Sequence, residues 1–344
     1  MSADLPRGAL FVVSRAQQAQ SHERRFQRGL GAPNIPKTAL YQHLVRQALS
    51  TCNEPRLTLA LDTTLLFNTW CVIYVSLVYR GRALPLAWRI LRHASSMVTA
   101  REIHPVLASA QNLLMHLPDL EQVCINADRG FMDQELMADF TAFGWHWNIR
   151  GKGQVLVTDA AGRKLGKFRE LLSQHGQLVV LNDVYLTAQR YGPVNIAAIH
   201  AFGAQEPWFI VSDEPCTLKT FSEYHERFQI EEGFLDFKSG GFNLEETRQT
   251  QLPHLEGLLF LLAVGSLFLL SEGTRVVEAG ERTRVDPHWQ RGLSYFQIGW
   301  RSIRYGLSRG APVLERLHLS AAADPEPSRR RSCPLSFNLV RGFT

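Results

Sequence analysis

Five cysteines, an odd number with no C-x2-C pair and no histidine at ligand spacing, give this chain little from which to build a disulfide frame or a zinc site. Such sparse usage is expected of a protein kept in a reducing, cytoplasmic compartment. A secretion signal is missing too: residues 1–15 hold one short apolar run, 9–13, and polar residues follow at once. The longest apolar stretch, residues 258–270, contains Gly265 and Ser266 and falls well short of the ~20 residues a bilayer span needs, so a buried core helix is expected there.

What is present is a 344-residue chain that is 45% apolar, enough for a large core and for one big domain with an insertion, or about two domains. The net charge of +5 is unevenly spread. Residues 1–50 carry +5 and residues 273–344 carry +6, which leaves −6 on the middle. Basic ends around an acidic centre suit a protein whose ends hold a polyanion while its centre gathers cations. Basic termini that only aid solubility explain the ends equally well.

Two apolar strands of the buried kind each run into an aspartate. Residues 57–61 (LTLAL) deliver Asp62, and residues 123–127 (VCINA) deliver Asp128. Between them, residues 72–79 and 83–91 read as a hairpin and residues 95–116 as a helix. A helix over 133–143 and a strand over 145–149 follow. Aspartate at a strand end is commonly a turn residue or helix cap, and that remains the alternative for each taken singly. Residues 151–207 change to short Val-, Leu- and Tyr-rich segments punctuated by Gly and Asn-Asp, a small β region with separate strands expected over 177–182 and 184–189. Its Lys152, Arg163, Lys164, Lys167, Arg169 and Arg190 suit phosphate contact, and Phe168, Tyr185 and Tyr191 suit base stacking; ordinary sheet roles suit all of them as well. A strand at 208–211 leads back to the core.

The stretch 224–238, YHERFQIEEGFLDFK, carries the strongest signal. On a regular helix Tyr224, Arg227, Glu231 and Lys238 fall at roughly 0°, 300°, 340° and 320°, a single stripe. A phenol, a guanidinium, a carboxylate and an ammonium along one stripe suit a site for a metal and an anion, whereas Arg227 and Glu231 alone would be an ordinary i,i+4 pair. Gly233, Gly240 and Gly241 predict a helix that weakens toward its end.

The spacing Y-x2-R-x3-E-x6-K resembles the YREK signature of bacterial insertion-sequence transposases of the DDE type, and LDTT around Asp62 and ADRGF around Asp128 resemble the two aspartate motifs of the same family. The likeness spans residues 57–306. It implies an α/β, ribonuclease H-like mixed sheet flanked by helices and interrupted by a β-rich insertion. The implied organisation is a helical, possibly DNA-binding region at 1–56, a catalytic core at 57–150 and 208–306, the inserted β subdomain at 151–207, and a basic tail at 307–344. In such a core the first and fourth strands are neighbours, which would set Asp62 beside Asp128.

The same resemblance implies Asp62, Asp128 and Glu231 as catalytic residues and as ligands of two Mg²⁺ or Mn²⁺ ions. An all-oxygen set with no competing Cys or His suits those hard cations. Tyr224, Arg227, Lys238, Arg301 and Arg304 would contact DNA. The implied partners are terminal inverted repeats, target DNA and a second copy of the chain in a synaptic homodimer, with the protein on the nucleoid. Two other readings stay open: a transposase-derived DNA-binding protein that no longer cuts, and a two-carboxylate glycoside hydrolase, which leaves the cationic stripe and basic ends unexplained.

Overall fold

The apolar runs of the middle of the chain pair into one sheet of ten strands, and the helices pack on it. The computed structural model describes residues 18–202, 204–236, 242, 244, 247, 249–311 and 316–327. Its strands are β1 (Arg56–Leu66), β2 (Trp70–Tyr79), β3 (Arg82–Arg92), β4 (Gln122–Ala127), β5 (His146–Arg150), β6 (Leu156–Thr158), β7 (Lys164–Lys167), β8 (Leu178–Leu186), β9 (Tyr191–Ile199) and β10 (Trp208–Ser212). They run in the order β3-β2-β1-β4-β5-β10-β9-β8-β6-β7. Pairing is parallel for β1–β4 and β4–β5 and antiparallel for all the others. The class is therefore mixed α/β, and the strands of 151–207 continue the main sheet through the β9–β10 pair.

Helix α1 (Ala19–Leu30) and α2 (Lys37–Leu49) precede the sheet; α3 (Ala100–Leu114), α4 (Gln134–Ala142), α5 (Leu218–His225), α6 (Gln229–Leu235), α7 (Leu252–Glu278) and α8 (Tyr295–Leu307) follow in turn. Helix α3 starts five residues later than the apolar pattern suggests. Thr99 and Glu102 form a reciprocal capping box that fixes the first turn, and residues 95–98 stay in a loop. The expected break in the insertion is absent for a similar local reason. Asp183 takes φ 55° and shifts the register between Leu181 and Val184, so Asn182-Asp183 makes a bulge inside the single strand β8.

Helix α7 is twice the length of its apolar run. By length and composition it is able to cross a membrane, but 61% of its apolar window is buried within the protein. It packs on α1, α2, α8 and β3. Glycine allows that packing: a Cβ on Gly273 would strike the Tyr295 backbone, and one on Gly299 would strike the Leu269 backbone. The two helix backbones thus approach closely over Leu267, Leu270 and Ile298, each essentially removed from water and each worth ~1.5–3 kcal/mol of burial. Residues 316–327 fold back over this layer, with Leu319 buried and its N–H donated to the Ala48 carbonyl.

Candidate active site

Sheet register puts the two aspartates side by side. The parallel β1–β4 ladder ends with Leu61 opposite Ala127, so Asp62 and Asp128 are the next residues on neighbouring strands, which lie ~4.8 Å apart. Beyond that point β4 stops, while β1 continues to Leu66 on β2 alone, with Asp62 opposite Tyr74. Asp62 therefore sits at the end of the β1–β4 ladder rather than at the end of its own strand. Its Oδ1 accepts the Thr63 N–H at 2.7 Å, and the Thr63 hydroxyl donates to the Ser96 carbonyl at 2.9 Å, which draws the loop 95–98 to the rim. Asp128 precedes a short 3-10 turn, Arg129–Phe131, yet its side chain makes no cap bond, and its Oδ1 is buried without any partner. The capping alternative therefore fails for Asp128.

The third acid arrives on a broken helix. Between α5 and α6 the chain tightens into a 3-10 turn, Glu226–Phe228, which changes the phase between Tyr224 and Arg227. The single stripe expected from regular geometry is not what forms. Tyr224 is fully buried in a cluster with Trp208 and Phe228, its hydroxyl without a partner, and the Arg227 guanidinium lies 5.9 Å from its ring. A direct DNA contact by Tyr224 is thus replaced by a place beneath Arg227. Arg227 is itself buried, and its Nη1 donates to Asp62 Oδ2 at 3.0 Å while its Nη2 donates to Glu231 Oε1 at 3.1 Å. Glu231 is exposed, 55% of its side chain being open to solvent. Gly233, which weakens the helix in isolation, lets α6 lie against β3: a Cβ there would stand 3.1 Å from the Ala83 carbonyl. Arg82 on β3 reaches Asp236 and Glu232 and ties down the same helix.

Of the other expected contacts, Lys238 lies outside the described residues. Arg301 and Arg304 are both exposed on α8, and Arg301 donates to the Val285 carbonyl. Phe168 is fully buried against Phe209 and is unable to stack on a base. Arg190 lies 4.8 Å over Tyr185 and donates to the carbonyls of Asp159 and Ala160, so both side chains serve the insertion's own turns.

Burial dominates the electrostatics. It raises the Asp62 carboxyl to about 6 despite Arg227 and the Thr63 N–H, and the charges of Asp128 and Glu231 add to the rise. Burial also opposes the charge on Arg227, but Tyr224, Asp62, Asp128 and Glu231 outweigh it and hold that group above its ordinary value. Among the described residues, no three His, Cys, Asp or Glu side chains stand at metal-holding distance. At this site the guanidinium of Arg227 fills the space between two of the three acids. The donor set nevertheless suits a hard cation: the three acids provide oxygen alone, Asp128 Oδ1 lacks a partner, and burial raises the Asp62 carboxyl, an effect that added positive charge would offset.

Two buried asparagines, passed over in the sequence, hold the arrangement together. Asn126 on β4 donates to the Glu223 carbonyl at 3.0 Å, and Asn148 on β5 donates to Asn126 Oδ1 at 3.1 Å. The bond from Asn126 pins the end of α5, and with it Arg227, to the strand that carries Asp128. A polar residue inside the apolar run VCINA was the available clue, because a strand buried on both faces has no other use for it. Neither a scan of protein-family models nor a search of curated proteins finds a match to this chain.

Proposed function

We propose that this chain is a DNA transposase of the DDE type, cutting phosphodiester bonds at transposon ends and joining the freed 3′-hydroxyl to target DNA. The observation that carries the reading is that Arg227 joins Asp62 to Glu231 while Asp128 follows on the strand beside Asp62, so that three acids far apart in sequence lie at the end of one parallel strand pair. The pairing of the first and fourth strands, with the second antiparallel to the first, supports a ribonuclease H-like core.

Asp62, Asp128 and Glu231 would hold Mg²⁺ or Mn²⁺. Two such ions, when bound, lower the pKa of an attacking water or 3′-hydroxyl and balance charge on the leaving oxygen. The protein's own part is orientation. Asp62 is fixed by the Thr63 N–H, Arg227 is seated over Tyr224 and offers a planar fork that fits a phosphate, and Asn126 keeps that fork at a set distance from Asp128. No covalent protein intermediate is required, and the phenol of Tyr224 is too buried to act as a nucleophile.

The test is to incubate the protein with Mg²⁺ and the DNA on either side of its own coding region, and to map new 3′ ends. Cuts at fixed positions, lost in Glu231→Gln and Asp62→Asn while DNA binding persists, support the proposal. Unchanged cutting by either variant defeats it.

A further inference from the structure

The two carboxylates that should share a divalent ion already share a cation, and it belongs to the protein. Arg227 spends one nitrogen on Asp62 and another on Glu231, at 3.0 and 3.1 Å. Only 4% of its side chain is exposed, so water does little to screen it. A divalent ion and a guanidinium at one pair of carboxylates repel each other, and the same oxygens are unable to point at both. Arg227 also keeps a donor in reserve: its Nε is buried with no acceptor. An N–H left in that state is satisfied by an incoming anion, and a phosphodiester offers oxygens in the planar arrangement that an arginine fork matches.

Resting on the transposase reading, we infer that Arg227 is an interlock: it holds Asp62 and Glu231 together and keeps metal affinity low until a DNA phosphate draws the guanidinium away. Metal and DNA then bind cooperatively through one side chain. Because the coupling is a free energy between two ligands, DNA raises the affinity for metal by the same factor as metal raises the affinity for DNA. The consequence is a site that loads its ions on DNA and stays unloaded off it, which limits stray nicking. Glu231 has the freedom this requires, being largely exposed and held here by Arg227 on its Oε1 side. Asp62 stays fixed by its pairing with β2, and Asp128 follows directly on the end of β4.

The interlock makes a prediction opposite in sign to that of a positioning role. Free Mn²⁺ is followed by electron paramagnetic resonance during titration of the wild type, Arg227→Gln and Asp62→Asn, each with and without short duplexes cut from the DNA beside the coding region. The duplex-alone signal is subtracted. Without DNA, Arg227→Gln should bind Mn²⁺ about tenfold more tightly than the wild type, within the range usual for coupled sites. With duplex, the wild type should gain a similar factor and the variant should gain none. Equal or weaker Mn²⁺ binding by a folded Arg227→Gln without DNA overturns the interlock but leaves the metal site standing, provided Asp62→Asn binds less than either. Where Arg227→Gln fails to fold by circular dichroism, the wild type decides alone, and an affinity unmoved by duplex overturns the interlock. Absence of Mn²⁺ binding in every folded protein, with and without duplex, sinks the transposase reading and the interlock together.

Discussion

Two regions of this molecule bury arginine among acids, and they finish the job differently. Behind α7 and α8, Arg282 donates to Glu326, Asp286 and the carbonyls of His288 and Trp289, while Arg291 donates to Asp324 and the carbonyls of Leu293 and Glu326. Arg80 joins the same clasp through Tyr295, Glu278 and the Ala322 carbonyl. Every nitrogen of Arg282 and Arg291 is matched, and the clasp straps residues 316–327 to the helices. Around Arg227 the opposite holds: its Nε, the Tyr224 hydroxyl and Asp128 Oδ1 are all buried and unmatched. Buried polar atoms in folded proteins are nearly always paired, so a local cluster of exceptions marks a place kept ready for something else. The clasp is fully paired, and the acid cluster is where the proposed chemistry would sit.

That contrast is open to direct attack. The largest effect belongs to the site: Glu231→Gln or Asp62→Asn should reduce cleavage by more than the ~10–100-fold typical of outer-shell partners of a metal, with the melting temperature little changed. A gel assay beside a thermal melt checks both halves. The clasp should respond the other way round. Arg282→Met takes the guanidinium from the carboxylates of Asp286 and Glu326 and from two carbonyls, and, with Asp286 still held by His288 and Gly292, should cost about 2–3 kcal/mol of stability by urea unfolding, while Mn²⁺ binding stays as in the wild type. If Mn²⁺ binding falls with it, the two regions are one unit and the division is wrong.

Smaller effects sharpen the comparison. Asn126→Leu removes a bond worth roughly 1 kcal/mol and takes from Asn148 the acceptor it uses on Asn126; cleavage should fall further than that loss of stability accounts for, because α5 is no longer pinned to the strand that leads to Asp128. An activity loss explained by unfolded protein alone would remove Asn126 from the site. The last test uses pH. A carboxyl raised to about 6 takes its proton in the folded chain before the unfolded chain does, so Asp62 favours folding as pH falls through 6 toward the ordinary carboxyl range. The wild type should therefore gain stability relative to Asp62→Asn between pH 7.5 and pH 5, by about 1–2 kcal/mol. A flat difference between the two would show that Asp62 is not buried as described.

Much of this was legible in the chain itself. LTLAL and VCINA announced buried strands because a strand covered on both faces must be apolar throughout; β4 stops just before Asp128 as read, while β1 carries on past Asp62 to Leu66. The Arg227–Glu231 spacing announced a contact because residues four apart on a helix meet. Tyr224 was misplaced for an equally plain reason: a 3-10 turn at 226–228 rotates the helix, and nothing in the spacing of residue types marks it. Helix α7 runs on past its apolar run because Glu272 is buried against Arg275 and Ser302, a pairing that lies outside the apolar pattern.

By itself the sequence determined where most of the strands and helices lie, though not their breaks and ends, and which residues carry charge near them, since those follow from periodicity and side-chain type. Only the tertiary structure decided that β1 lies beside β4, that an arginine stands between two acids, and that three polar atoms there go without partners. Register and burial are properties of segments brought together from opposite ends of the chain, and no local pattern specifies the partner a buried atom is left without.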